Sequence, residues 1–210
     1  MNISDSPKCY FVTAIGTDSG KTLISAILTE ALKADYWKPV QSGIEETDKE
    51  TVKTLVSNQD TTFFDEAYLL KSPESPHSSA KKDGVKISME NIVLPKSQNK
   101  NLVIEGAGGM LVPLNEKDLV IDLAEKFNCE IILVSNIYLG SINHTLLTVN
   151  ELKKRGLKVK GLIFNGQENK EAQDYILSYS GYEELLYIPK LNEVNSEAVK
   201  KYAEKLKTKL

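Results

Sequence analysis

The sequence predicts an α/β fold, a three-layer, doubly wound and mostly parallel sheet, and three observations carry that prediction. Apolar, β-rich runs alternate with longer stretches of helical period along the 210 residues. Five or more of these runs share one polarity, each followed by a helix. Glycine-rich segments stand where the first and third of the runs end, at the edge where such sheets bind ligands.

Taken in order, Cys9 to Thr13 reads as the first strand and Thr22 to Leu32 as a helix, with Leu23, Ala26, Ile27, Glu30 and Ala31 sampling its turns. Tyr36 to Val40 reads as a short extended run, Asp48 to Val56 as a helix, and Ser72 to His77 as a proline-broken loop. Leu102 to Glu105 is a buried strand ending in an acid ahead of Gly106, Ala107, Gly108 and Gly109, where backbone can approach a ligand closely. Helices are expected over Leu119–Phe127 and Asn143–Lys154, the latter with Ser141 and Asn143 as caps, and a strand over Glu130–Ser135. Val159 to Phe164 is a strand ending at Asn165; Glu171–Tyr179, Leu185–Ile188 and Ser196–Lys207 follow as helix, strand and helix. The lysines at 200, 201, 205, 207 and 209 complement the negative end of that last helix.

We expect one domain over 1–210. A composition of 41% hydrophobic and 26% charged residues excludes collagen-like, disordered and disulfide-dense classes. With 26 basic against 29 acidic residues, the net charge of -3 gives no basic surface for nucleic acid or an anionic membrane, so a small-molecule substrate is expected. MNISDSPKCYFV lacks the blocks of a secretory signal, and no apolar run has the length of a membrane span, so a cytoplasmic protein is expected. Cys9 and Cys129 each open an apolar run and have no metal or redox spacing; they are read as buried reduced thiols.

The strongest local signal is the run from Ala14 to Thr22, AIGTDSGKT, between a strand and a helix. In that context backbone amides wrap phosphates, Lys21 reaches the terminal phosphates and the Thr22 hydroxyl suits magnesium. The strict pattern is not met, because Ile15 stands where its first glycine belongs. Glu105, at the same sheet edge, suits Mg²⁺, which takes one or two carboxylates with phosphate oxygens and waters. Asp48 is a second carboxylate in reach by topology, with a solvated charge as the competing reading. Lys38, beside Pro39, brings a second cation, and Ser42 a hydroxyl. Gly140, Ser141, Ile142 and Asn143 offer free amides suited to a carboxylate or phosphate, though on the residues alone a plain helix cap accounts for them as well. His77 and His144 have no ligand-spaced partners, so no zinc site is expected.

These residues together resemble the dethiobiotin synthetase family, over nearly the whole chain and in order. The matching stretches are FVT and SGKT within 11–22, WKPVQSG at 37–43, SPHSSA ending at Ala80, VIEGAGGMLVPL at 103–114, LGSINHTLLT at 139–148 and YIPKL at 187–191. The resemblance implies a fold of P-loop NTPase type and a homodimer with ATP as co-substrate and Mg²⁺ as cofactor. Its other substrates are 7,8-diaminononanoate and CO2, joined through a carbamate and a carbamic-phosphoric anhydride. It also implies that Thr17, Asp18, Ser19, Gly20, Lys21 and Thr22 hold the nucleotide phosphates and that Thr22, Asp48 and Glu105 hold the metal. Lys21 and Lys38 would be catalytic. Thr17, Lys38, Ser42 and Gly108 would contact the reacting substrate, with Gly140, Ser141, Ile142 and Asn143 on its distal carboxylate across the dimer interface. Asn165, Pro189, Leu191 and Glu193 would border the adenine. Gly166 stands where an acidic residue is frequent, which predicts weaker discrimination among nucleoside triphosphates. A partition-type ATPase switch and a cobyrinate-type synthetase domain are the competing readings; the first usually carries an extra lysine in Ala14–Asp18, absent here.

Overall fold

Strand β1 (Lys8–Ala14) follows an exposed lysine with six consecutive buried residues. Such a strand must be covered on both faces and both edges. On one edge lies β6 (Asn101–Glu105), with Val12 opposite Glu105; on the other lies β7 (Glu130–Ile137), with Ala14 opposite Val134. Beyond β6 come β2 (Asp35–Trp37) and β4 (Phe63–Phe64), and beyond β7 come β8 (Val159–Gly166) and β9 (Glu184–Pro189). All seven strands are parallel. A separate parallel pair is formed by β3 (Val40–Ser42) and β5 (Tyr68–Leu70). The computed structural model describes residues 6–210, so the first five residues of the stretch read for a secretory signal lie outside the described residues.

The pleat divides β1 between two cores. Tyr10, Val12 and Ala14 pack with α1 (Lys21–Leu32), α2 (Asp48–Leu55) and α7 (Ser196–Lys207) through Ile24, Ile27, Val52, Val199 and Leu206. Cys9 and Phe11 face the other way, onto α3 (Pro76–Lys82), α4 (Asp122–Lys126), α5 (Ser141–Lys154) and α6 (Lys170–Ser180) through Ala80, Leu123, Val149 and Ile176. Helices therefore cover both faces, as the sequence pattern requires. The two cysteines are free and buried. Cys129 lies one residue before β7, beside Cys9, whose thiol donates to the Pro7 carbonyl at 3.6 Å.

From β1 the chain builds outward through β2 to β4, returns to β6, and then crosses to β7 before building out the other half. The direction of winding reverses at β1, which puts the loop after it at the switch point of the sheet.

Several element boundaries differ from those the sequence suggests. The run from Tyr36 to Val40 is two strands in two sheets: Pro39 has no N–H for a ladder and the chain turns away after Trp37. Ser72 to His77 is not loop throughout, because Pro76 and His77 open α3, where proline's missing N–H costs nothing. The helix expected over Leu119–Phe127 is only α4, since Leu119 is held in a bridge to Pro113. Helix α5 begins at Ser141 rather than Asn143; Gly140, at φ 101°, is its cap, and neither Ser141 nor Asn143 caps it by a side-chain bond. Strand β8 runs through Asn165 to Gly166.

Candidate active site

The loop after β1 is held in shape by its own polar atoms. The Ser19 hydroxyl donates to the Gly16 carbonyl at 3.1 Å, and the Asn165 amide reaches over from β8 to the Ser19 carbonyl at 3.0 Å. Asp18 and Gly20 both turn through the left-handed region, at φ 54° and 87°, which aims the chain into α1. That helix has no side-chain cap and no acidic residue in its first turn. Its free amides and the positive end of its dipole are left for an anion. Lys21 lies back over this loop, 7% exposed, with Nζ 3.1 Å from the Gly16 carbonyl. Burial, with help from the nearby Lys38 cation, pushes the Lys21 ammonium down to about 8 against the pull of Glu105, Asp48 and Asp18.

Beside it the ends of β2 and β6 and the starts of α1 and α2 bring five side chains together. Lys38 Nζ is 2.6 Å from Asp48 Oδ2 and 3.0 Å from Glu105 Oε1, and also donates to the Gly106 carbonyl at 3.2 Å. Thr22 Oγ1 donates to Asp48 Oδ1 at 2.5 Å and lies 3.1 Å from Glu105 Oε1. Glu105 is 1% exposed, and its second oxygen, Oε2, accepts from the Tyr36 hydroxyl at 2.9 Å. Burial alone would lower the Lys38 ammonium, but Glu105 and Asp48 outweigh it and hold it above the ordinary lysine value. Burial likewise would raise Asp48, yet Lys38 and Thr22 keep it below the usual carboxylate range. The Tyr36 phenol is driven well above its ordinary value by burial and then by Glu105, so it is a standing hydrogen-bond donor.

Among the described residues no group of three His, Cys, Asp or Glu side chains gathers as a metal cage. The hydroxyl of Thr22 and the carboxylates of Asp48 and Glu105 are instead a partial set of hard oxygen donors. That set fits a magnesium ion that takes its remaining ligands from phosphate and water.

A cavity of about 750 Å³ opens over these groups, lined by Thr17, Asp18, Gly20, Lys21, Thr22, Lys38, Ser42, Asp48, Glu105 and Gly108 among others. Ser42 Oγ is buried with no partner among the described residues, so it has a hydrogen bond to give. Gly108, at φ 64°, sits where a Cβ would meet Val112 at 2.9 Å and Thr17 at 3.5 Å, which keeps this wall thin. Gly140, Ser141, Ile142 and Asn143 do not border this cavity; they line a second one of about 760 Å³, with Tyr138, Leu139 and Tyr175. Asn165 is turned onto the loop after β1, while Pro189 and Glu193 are exposed at the end of β9 and beyond it, and Leu191 packs on the α1-side core. Gln41, whose side chain accepts from the Asp48 amide at 3.3 Å, and the wall from Pro73 to Pro76 were given no role by the sequence reading. Tyr36 belongs to a run the sequence predicts to be extended, and nothing in the sequence marks its hydroxyl.

A family model described as an AAA domain matches residues 8–198. Among solved structures, the septum site-determining protein MinD from Pyrococcus horikoshii, complexed with Mg-ADP, superposes with a TM-score of 0.59 at 15% identity, covering 96% of each chain. The cell division ATPase MinD of Pyrococcus furiosus gives 0.55 at 15% identity over 97% of this chain and 99% of that one. At that identity the likeness is one of fold. The ATP-dependent dethiobiotin synthetase BioD of Cytophaga hutchinsonii is 55% identical over 95% of this chain and 97% of its own. That of Christiangramia forsetii is 48% identical over 97% and 98%, and that of Agrobacterium fabrum 41% over 90% of each. Identity at this level, spread over the length that carries both the phosphate loop and the cluster around Lys38, makes the chain a member of the ATP-dependent dethiobiotin synthetase family.

Proposed function

We infer that this enzyme makes dethiobiotin from 7,8-diaminononanoate, CO2 and ATP, closing a ureido ring across the two amines. The observation that carries the reading is the 55% identity to a dethiobiotin synthetase over 95% of the chain. The convergence of Lys21, Lys38, Thr22, Asp48 and Glu105 on one cavity supports it.

In this reading the diamine adds one nitrogen to CO2, giving a carbamate and releasing a proton. A carbamate oxygen then attacks the γ-phosphorus of ATP, the bond to ADP breaks, and a carbamic-phosphoric anhydride results. The second amine attacks its carbonyl; inorganic phosphate leaves with the bonding pair and the ring is closed. The loop from Thr17 to Thr22 holds the phosphates, and Lys21 spans them. Lys38 lies where negative charge builds on the attacking carbamate, with Ser42 donating its free hydroxyl, so both favour the transition state over the ground state. Thr22, Asp48 and Glu105 would hold Mg²⁺, which when bound would offset negative charge on the nucleotide phosphates. Holding both amines in one site makes ring closure intramolecular in effect.

The amides at Gly140–Asn143 would take the substrate carboxylate from a second copy of the chain, since within one copy they open onto a different cavity. A homodimer is therefore part of the proposal. With ATP as the phosphoryl donor, we place the enzyme in the cytoplasm. Asn165 and the segment from Pro189 through Leu191 to Glu193 would border the adenine.

The test is mass spectrometry of the products after incubation with 7,8-diaminononanoate, bicarbonate, ATP and Mg²⁺, alongside Lys21→Ala. Dethiobiotin from the wild type and none from the variant is expected. ATP hydrolysis without dethiobiotin would move the assignment to another member of the fold class.

A further inference from the structure

Glu105 is gripped from two sides by one strand. Tyr36 and Lys38 are two residues apart in β2 and its continuation, so the pleat puts both on one face, and Val103 and Glu105 of the neighbouring β6 share that face in register. Lys38 therefore meets Glu105 beside the cavity, at Oε1, while Tyr36 meets it from beneath, at Oε2. Tyr36 is fully buried, and its ring lies against Phe63 with centroids 6.2 Å apart, so the hydroxyl has one direction to point. Among the described residues it is the only hydrogen-bond donor to Oε2, whereas Oε1 has both Lys38 and Thr22 within reach.

We propose that Tyr36 is a positioning residue of this site: its hydroxyl pins Oε2 and thereby fixes the plane of the Glu105 carboxylate, reserving Oε1 for Lys38 and the magnesium ion. The inference rests on the function given above for what the site does, but on hydrogen-bond geometry alone for how Glu105 is held. Without the hydroxyl, Oε2 would be a buried acceptor with no donor. The carboxylate would turn to share Lys38 between its two oxygens, and Oε1 would leave its place beside Thr22. Groups that orient a metal's ligands typically cost about 10- to 100-fold in affinity when removed.

Tyr36→Phe keeps the ring and removes the hydroxyl. Free Mn²⁺ counted by electron paramagnetic resonance, with ADP present, should show metal binding weakened about tenfold or more. ADP affinity in EDTA should be unchanged, and turnover should fall while the KM for the diamine holds. Mn²⁺ affinity within twofold of wild type would overturn the proposal. If Tyr36→Phe does not fold, Glu105→Gln is compared with the double variant Tyr36→Phe/Glu105→Gln, in which no carboxylate is left to position. Equal Mn²⁺ affinity in that pair is expected; a further tenfold loss in the double variant would place the action of Tyr36 elsewhere and overturn the proposal. Mn²⁺ binding needs no diamine, so weakened metal binding in an enzyme that makes no dethiobiotin would leave the role of Tyr36 standing and the substrate wrong. Dethiobiotin synthesis with metal binding unmoved by Tyr36→Phe would do the reverse.

Discussion

Lys38 is the residue on which the site's charges balance, because one ammonium serves both carboxylates at 2.6 and 3.0 Å. Lys38→Ala should cut kcat by about 100- to 1000-fold, the range for loss of a donor aimed at developing charge. Diamine binding measured by calorimetry should change far less, and near-normal turnover would remove Lys38 from the chemistry. Gly20 is constrained twice, by φ 87° and by Asn165, whose amide nitrogen would lie 2.2 Å from an added Cβ. Gly20→Ala should therefore break the bond from Asn165 to Ser19 and weaken ADP binding, at a stability cost of about 1 to 3 kcal/mol; calorimetry and a thermal melt read the two separately. At this scale the site was unevenly legible. Lys21 and Thr22 announce themselves by their order after a strand and a glycine. Lys38, Asp48 and Glu105 could be gathered only by sheet topology, since they are distant in sequence. Tyr36 was not legible at all, because one more aromatic in an apolar strand reads as core until a carboxylate is found against its hydroxyl.

Elements here are positioned by polar anchors as much as by apolar faces. The carboxylate of Asp35 at the start of β2 is buried and accepts from Thr62 N, Ser97 Oγ and Asn99 Nδ2 at 2.7, 2.6 and 2.7 Å. Burial would raise this group, but those donors outweigh it and hold it below the ordinary carboxylate value. Because the folded value is depressed, the stabilisation is complete above about pH 4 and is lost as pH falls through the folded value. Asp35→Asn should cost about 2 kcal/mol in urea melts at pH 7 and progressively less below pH 4; a pH-independent difference would contradict this. Helix α7 is fixed at its start by Asn195, whose side chain accepts from the Ala198 amide at 3.0 Å, and Asn195→Ala should cost about 1 kcal/mol by the same assay. Strands with long apolar runs were legible from sequence, as were the helices that follow them. What was not legible had a local cause. Pro39 divides an apparently continuous run between two sheets, and the prolines at 73 and 76, which look like loop residues, include one placed at a helix start.

At the scale of the molecule, the alternation of strand and helix foretold a parallel sheet, and the phosphate loop stands where the winding reverses. Contacts between copies of the chain have no such periodic signature. Leu139 is fully exposed and Ile142, Leu147 and Tyr175 are 38%, 60% and 56% exposed, an apolar group at the start of α5 and on α6 that suits the proposed homodimer. Light scattering should give about twice the chain mass of 23.4 kDa, and Leu139→Glu should halve it while raising the KM for the diamine. An active enzyme that is strictly monomeric would contradict the shared carboxylate site. The two cysteines bear on the molecule as a whole in another way. They lie against each other, 6% and 3% exposed, at the start of the central strands, and the first of those strands ends in the phosphate loop. An alkylating reagent can reach them only when the strand pair or the helix layer covering that face opens, so the labelling rate under native conditions reports the free energy of a local opening at the start of the central strands. Nucleotide held at the far end of β1 should slow the labelling in proportion to its occupancy, which makes the native thiols an internal reporter of ligand binding on the strand that leads into the site.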